Sequence, residues 1–353
     1  MKLLNPGPVS MTERVRRALL AEDVCHREPE FKAVVARVRK RLADVYAEPG
    51  FVPVLLGGSG TAAVEAMLSL VAPHENALVV ANGVYGERMT AMLRAQGKPN
   101  EIVSAPWTSA VDVAAVERAL ATNKYGHLLV VHHETTTGRL NDLAPLGALC
   151  KKHDVPMLVD AVSSFAGEEI RFADWNIEAV AATANKCLHG APGVAFVLAR
   201  REALERPSGA TSVYLDLHRH AAAQDKNDTP FTLPTHVTYA LDEALAELAD
   251  EGGWRARHAT YRARSTHVRN LLAGLGITLL LECADDYGST LTSFRVPQGR
   301  SYEAIHAHLK SEGFVIYAGQ GKFDGQIFRI AVMGELDGRD LERLSAALRS
   351  ALS

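Results

Sequence analysis

Cysteine is scarce and scattered in this 353-residue chain. The four thiols, Cys25, Cys150, Cys187 and Cys283, form no C-x-x-C pair. That spacing excludes a disulfide framework and a thiolate zinc site, and it indicates a reducing compartment. Long apolar runs are missing as well. No stretch approaches the roughly 18 residues that a membrane-crossing helix needs, and Pro6 and Pro8 interrupt the opening MKLLNPGPVS before an apolar segment of signal-peptide length develops. The expected location is the cytoplasm. There is no basic run either: 38 Lys and Arg stand against 41 Asp and Glu, a formal charge of -3, which points away from nucleic acid and anionic membranes and towards small molecules. His132 and His133 are adjacent, and neighbours on a strand face opposite ways, so they cannot share an ion and no metal is expected.

What is present is a large apolar fraction, 47% of residues, enough for a sizeable core and about two domains. Between about residues 50 and 200, short β-rich runs (VPVLLG, ALVVA, HLLVVHH, PMLVDAV, AVAATA, VAFVLAR) alternate with amphipathic segments at 61–72, 86–96 and 142–153. This alternation predicts an α/β domain with a large, mostly parallel, helix-covered sheet, in which ligands sit at the carboxyl ends of strands. Residues 207–234 read as polar and irregular. Helices are predicted at 236–251 and 254–274, separated by Gly252-Gly253. From about 275 the order changes: strands ITLLLE, TLTSFRVP, FVIYAG and IFRIAVMG, with helices at 301–312 and 338–352. That pattern suits a smaller C-terminal α+β domain with an antiparallel sheet. The expected division is an arm and first helix over 1–22, a large domain over 23–252 and a small one over 253–353. NPGP is too proline-rich to start a helix, so an extended arm is expected before a helix near Met11.

The segment ATANKCLHGAPGVAFV sets Lys186 just after a buried strand. An ammonium near a core has its pKa lowered, and a partly desolvated amine is a nucleophile toward carbonyls, the property a Schiff base requires. Three other strand ends bear on it. GGSGT (57–61) lies between a strand and a helix, and reads either as a tight turn or as a phosphate cradle of backbone N–H groups with the Ser59 and Thr61 hydroxyls. It is neither G-x-G-x-x-G nor a Walker loop. Asp160 ends the apolar run PMLV, where it either caps a turn or meets a cation. HETTTG (133–138) supplies hydroxyls, for a ligand or for its own backbone. Tyr85 in NGVYGERM is a core aromatic or a ring to stack on a ligand. Together, a phosphate cradle, an acid for a pyridinium nitrogen, hydroxyl donors and a lysine 26 residues after the acid (186 less 160) are the protein parts of a pyridoxal phosphate site.

The motifs GGSGTAAVEA, NGVYGERM, HHETTTG, VDAVSSF, ANKCLHGAPGVAFV, FTLPTHVTYAL and FRIAVMGE, in this order over nearly the whole chain, resemble the class V aminotransferases of fold type I. The likeness is strongest to the branch that uses 2-aminoethylphosphonate and pyruvate. The branches using alanine or serine with glyoxylate share the scaffold. The resemblance implies a pyridoxal 5'-phosphate enzyme with Lys186 as its Schiff-base lysine, Asp160 as partner of the pyridine nitrogen, Val162 beneath the ring and Tyr85 stacked on it. It implies Ser59, Gly60 and Thr61 at the phosphate, Thr135 near the phenolic oxygen and Arg329 at the substrate's acidic group. Thr232 would reach the phosphate from a neighbouring subunit, so a homodimer with shared sites is implied. The Pro6-Gly7 arm is a candidate for holding a phosphonate, and so is Arg27 in CHREPEF, where some relatives resembling this chain have an acidic stretch; the alternative for His26 and Arg27 is a solvated helix start. A rival reading is a protein that binds a phosphorylated ligand through GGSGT without catalysis. A desulfurase would need a cysteine on a mobile loop, which none of the four thiols resembles.

Overall fold

A computed structural model describes residues 1–122 and 124–352; Ser353, the last residue of the expected small domain, lies outside the described residues. The β-rich runs pair into a seven-stranded sheet. Its spatial order is Phe51–Gly58, Gly193–Arg200, Ile177–Thr183, Met157–Asp160, His127–Val131, Ala77–Ala81 and Asn100–Ser104. Gly193–Arg200 runs antiparallel to both its neighbours, and the remaining pairs are parallel. The central strands are buried on both faces, as parallel strands under helices must be, and so read as near-continuous Val, Leu, Ile and Ala. Each fully buried Val, Leu or Ile among them contributes about 1.5–3 kcal/mol. Asn100–Ser104 was not foreseen: it is an edge strand with a mostly exposed pattern, so it carries no apolar run.

Helices cover the sheet where the pattern predicted, including Gly60–Met67, Val84–Ala95 and Ala144–His153. Thr235–Asp250 and Gly253–Gly274 are separated by Gly252, whose φ of +96° is left-handed. The 207–234 stretch is less irregular than its composition suggests: Asp216 accepts from the His218 and Arg219 N–H groups and starts a helix over Leu217–Gln224.

A second, three-stranded antiparallel sheet places Ile327–Ala331 between Leu291–Arg295 and Tyr317–Ala318. Two expectations fail here. ITLLLE forms no strand: Leu280 and Leu281 are buried, but the segment makes only a lone bridge from Leu279 to Phe294, so its apolar character records burial and not a ladder. FVIYAG splits in two, its Phe314–Val315 half pairing in parallel with Lys2–Leu3 at the chain start. The arm after that strand is bent, not extended, over residues 5–8, where Asn5 Nδ2 donates to the Pro8 carbonyl at 3.0 Å. The first helix, Glu13–Ala18, follows Thr12, whose hydroxyl accepts from Val15 N–H.

Candidate active site

Five strands of the large sheet end on one side, and each delivers a residue named from sequence. Asp160 closes the Met157–Asp160 strand in register with Val131 and Ala181 of its two neighbours. It is buried, accepts from Val162 N–H at 2.9 Å, and has no salt-bridge partner within 4.0 Å among the described residues. Burial pushes its carboxyl up to about 6, against the opposing pull of the Val162 N–H, Lys186 and Arg88. This is a carboxylate that lacks a cation.

Lys186 follows the Ile177–Thr183 strand, as Asp160 ends the adjacent one. Desolvation lowers its ammonium to about 8, against the favourable fields of Cys187 and Asp160. Its Nζ donates to the Pro6 carbonyl, so the N-terminal bend lies over the amine. Gly7 touches the same side chain. A Cβ there would stand 2.6 to 2.9 Å from Lys186 Cδ, Cε and Nζ, and its φ of +133° is itself unfavourable for other residues.

The turn after Phe51–Gly58 places Ser59 at the N-cap of Gly60–Met67 with its hydroxyl making no capping bond. Ser59 and Thr61 are exposed, and Gly60 is buried against Val162, whose methyls would be 2.8 and 2.9 Å from any Cβ. The first N–H groups of this helix have no partner within it, which makes the turn an anion site. Thr135, in the tight hairpin His133–Glu134 to Arg139–Leu140, is buried with Oγ1 unpartnered, while its carbonyl accepts from Arg329 Nη1 at 2.7 Å.

Two residues at this site escaped the sequence reading. Arg88 lies one turn beyond Tyr85 on Val84–Ala95. Its guanidinium sits 4.8 Å from the Tyr85 ring centre, and Nη1 donates to Thr61 Oγ1 at 3.4 Å. The i,i+3 spacing from Tyr85 was the available signal. Glu134 stood inside the quoted HETTTG motif. It is buried, and its carboxylate accepts from Tyr85 N–H (3.2 Å), Thr136 N–H (3.2 Å) and Thr136 Oγ1 (2.6 Å), tying the start of the Tyr85 helix to the Thr135 turn. Burial raises this carboxyl to about 7.

Arg329, in the middle strand of the small sheet, is fully buried. Nε donates to Ala318 O (2.8 Å) and Nη1 to Thr135 O and Gln320 Oε1 (3.1 Å), while Nη2 has no partner. Two calls do not join this cluster within the chain. Arg27 is exposed, with its guanidinium 3.5 Å from Asp228, so it is not brought to Arg329. Thr232 is exposed too, its hydroxyl 3.4 Å from His26 Nε2. No cluster of potential metal ligands occurs among the described residues, and no helix is long and apolar enough to cross a membrane.

The residues fit pyridoxal phosphate on their own chemistry: an uncompensated buried carboxylate, a lysine near 8, an anion-binding helix start and an unpartnered buried hydroxyl, all at one edge of one sheet. The family Aminotransferase class-V matches residues 15–327, and the chain belongs to it. Among its relatives, the 2-aminoethylphosphonate--pyruvate transaminase of Vibrio vulnificus (strain YJ016) is 39% identical over 363 residues, 99% of this chain and 97% of that one. The protein of the same description from Salmonella paratyphi C (strain RKS4594) is 37% identical with the same coverage. In three dimensions, the alanine--glyoxylate aminotransferase of a Nostoc species superposes with a TM-score of 0.92 at 27% identity, covering 99% of this chain and 95% of that chain.

Proposed function

We propose that this chain is a pyridoxal 5'-phosphate enzyme that moves the amino group of 2-aminoethylphosphonate to pyruvate, yielding phosphonoacetaldehyde and L-alanine. The single observation that carries the reaction type is Asp160 at the end of one strand and Lys186 just beyond the end of the adjacent one, an uncompensated carboxylate and an amine lowered to about 8. The substrate pair rests on the full-length relatives of that activity.

When bound, the cofactor supplies a carbonyl that takes up the amine and an electron-poor ring that stabilises the carbanion. Every other part comes from the chain. Lys186 Nζ, with an unprotonated fraction near neutral pH, accepts the proton leaving the substrate's amine-bearing carbon and returns it. Asp160 holds a negative charge for the ring's cationic nitrogen. Val162 and Tyr85 bracket the ring position, and Thr135 Oγ1 offers a hydrogen bond. Ser59, Gly60 and Thr61, together with Arg88, hold the phosphate. Arg329 holds pyruvate's carboxylate or the phosphonate, and the Pro6-Gly7 bend keeps water from Lys186. Thr232 serves the phosphate of a second copy, so the working unit is a homodimer. Its four unpaired cysteines suit the cytoplasm.

Incubating cofactor-loaded protein with 2-aminoethylphosphonate and pyruvate, and separately with alanine or serine and glyoxylate, tests the reading. Alanine formation should be at least tenfold faster than glycine formation; the reverse would transfer the chain to the glyoxylate branch. Lys186→Ala should retain cofactor while losing turnover.

A further inference from the structure

Arg329 does not present an open fork. Of its five N–H groups, the Nε donor goes to Ala318 O, and both Nη1 donors are taken, by Thr135 O and Gln320 Oε1. Only the Nη2 pair is left, buried and unpartnered. A carboxylate is bound most tightly by two parallel N–H groups on different nitrogens, and that arrangement requires one of these three acceptors, of which Gln320 supplies the one side chain, to leave. Gln320 is not poised to leave. It caps the short turn Gly321–Phe323, which is docked on Trp107: Lys322 Nζ lies 4.7 Å from that indole's centre and the Phe323 ring 6.0 Å. Trp107 in turn donates to Glu87 Oε1 at 2.8 Å.

The orientation of the Gln320 amide follows from chemistry. A guanidinium has only donors, so the amide oxygen must face it, and Nε2 is left over. Nε2 makes no hydrogen bond among the described residues. Four N–H groups of this residue pair are thus left without a partner among the described residues, two on Arg329 Nη2 and two on Gln320 Nε2, around a single guanidinium charge.

We propose that Gln320 is a specificity-determining residue of this subsite, which by blocking the guanidinium fork and offering its own amide donors favours a three-oxygen phosphonate over a planar carboxylate. The inference rests on the reading of Arg329 as the residue that holds the substrate's acidic group. A tetrahedral phosphonate reaches Arg329 Nη2 with one oxygen and the amide with another. A carboxylate can reach the same two nitrogens, but it sets only two oxygens and one charge against the four N–H groups where the phosphonate sets three oxygens and up to two charges, and it loses the parallel pair.

The test is calorimetric titration of the cofactor-loaded protein with ethylphosphonate and with propionate, which carry the two acidic groups on the same two-carbon stem without an amine. Wild type should bind ethylphosphonate more tightly. Gln320→Leu removes the amide donors and frees Nη1, so ethylphosphonate should weaken by about ten- to a hundredfold, the range for one hydrogen bond to a charged group, while propionate holds or improves. Gln320→Glu keeps the acceptor for Arg329 and so guards against a folding artefact; it should weaken ethylphosphonate at least as much. Equal shifts of both anions in both variants would overturn the inference, as would a wild type that prefers propionate, even where transamination of 2-aminoethylphosphonate proceeds. Preference for ethylphosphonate with the expected variant effects, but no transamination of 2-aminoethylphosphonate, would support the subsite and reject the proposed reaction.

Discussion

On the proposed function, Asp160 weakens the cofactor-free protein for the sake of the loaded one. Its carboxyl is raised by burial from the ordinary 3.8 to about 6. The folded chain therefore binds a proton that the unfolded chain has already released between those values. Stability falls as pH rises across that window, and the cost is complete above about 6. Two units correspond to a cost on the order of 3 kcal/mol. Asn carries no charge and can still accept from Val162 N–H, so Asp160→Asn should raise the melting temperature of the cofactor-free protein at pH 8 and change it little at pH 4. With cofactor the sign reverses: loss of the anion opposite the ring nitrogen should slow turnover by at least about a hundredfold, roughly 3 kcal/mol. Melting curves at the two pH values and steady-state rates check both halves. A variant destabilised at pH 8 would mean that Asp160 acts through packing.

Among the elements, what could be read from sequence was whatever pairs burial with period. Met157–Asp160 and Ile177–Thr183 stood out because their interiors are apolar apart from Glu178, and for the same reason the charges at or just beyond their ends, Asp160 and Lys186, were conspicuous. ITLLLE had the same apolar signal without a partner strand, since a run of buried leucines does not say whether a neighbour completes the ladder. The partners of Arg88 and Gln320 could not be read from sequence because they lie across the fold: Thr61 from another strand end for one, Arg329 for the other. A buried contact between the large-sheet domain and the C-terminal part of the chain was equally hidden. Glu168, in the turn after the Asp160 strand, accepts from Ser289 N–H (2.6 Å) and Oγ (2.7 Å), and its carboxylate lies 3.2 Å from His258 on Gly253–Gly274. Burial pulls the Glu168 carboxyl upward, but His258, His133 and Ser289 together outweigh it and hold it below the ordinary 4.5. Glu168, more than any other neighbour, raises His258 above 6.5. The His258 contribution is fully present below 6.5 and lost as pH rises through its raised value; that of Glu168 is present above 4.5 and lost as pH falls through its lowered one. His258→Gln should therefore cost most in melting temperature near pH 6 and progressively less towards pH 9. A cost that stays constant over this range would remove the ion pair as its cause.

At the scale of the whole molecule, the face carrying Thr232 leaves large apolar side chains exposed. Leu20, Val213 and Tyr214 are exposed, and they stand on segments that meet the Thr232 loop: Ala21 O accepts from His236, and the Tyr214 ring lies 5.0 Å from that of Phe231. Apolar side chains left outside in this way suit burial against a second copy, and a two-fold arrangement would make each Thr232 available to the other chain's phosphate site. Arg27, which is not brought to Arg329 within one chain, stands on the same face, where His26 approaches Thr232. Mixing two inactive proteins separates sharing from self-sufficiency. Lys186→Ala lacks the proton-transfer amine but keeps Thr232; Thr232→Arg blocks the phosphate approach but keeps Lys186. If sites are shared, denaturing and refolding the two together yields mixed dimers in which one site combines an intact Lys186 with an intact Thr232 from the other chain. With random pairing, half the dimers are mixed and one of their two sites is whole, so activity should return to about a quarter of wild type. If Thr232 serves its own chain, every site in the mixture carries one lesion, and the refolded mixture stays as inactive as its parents.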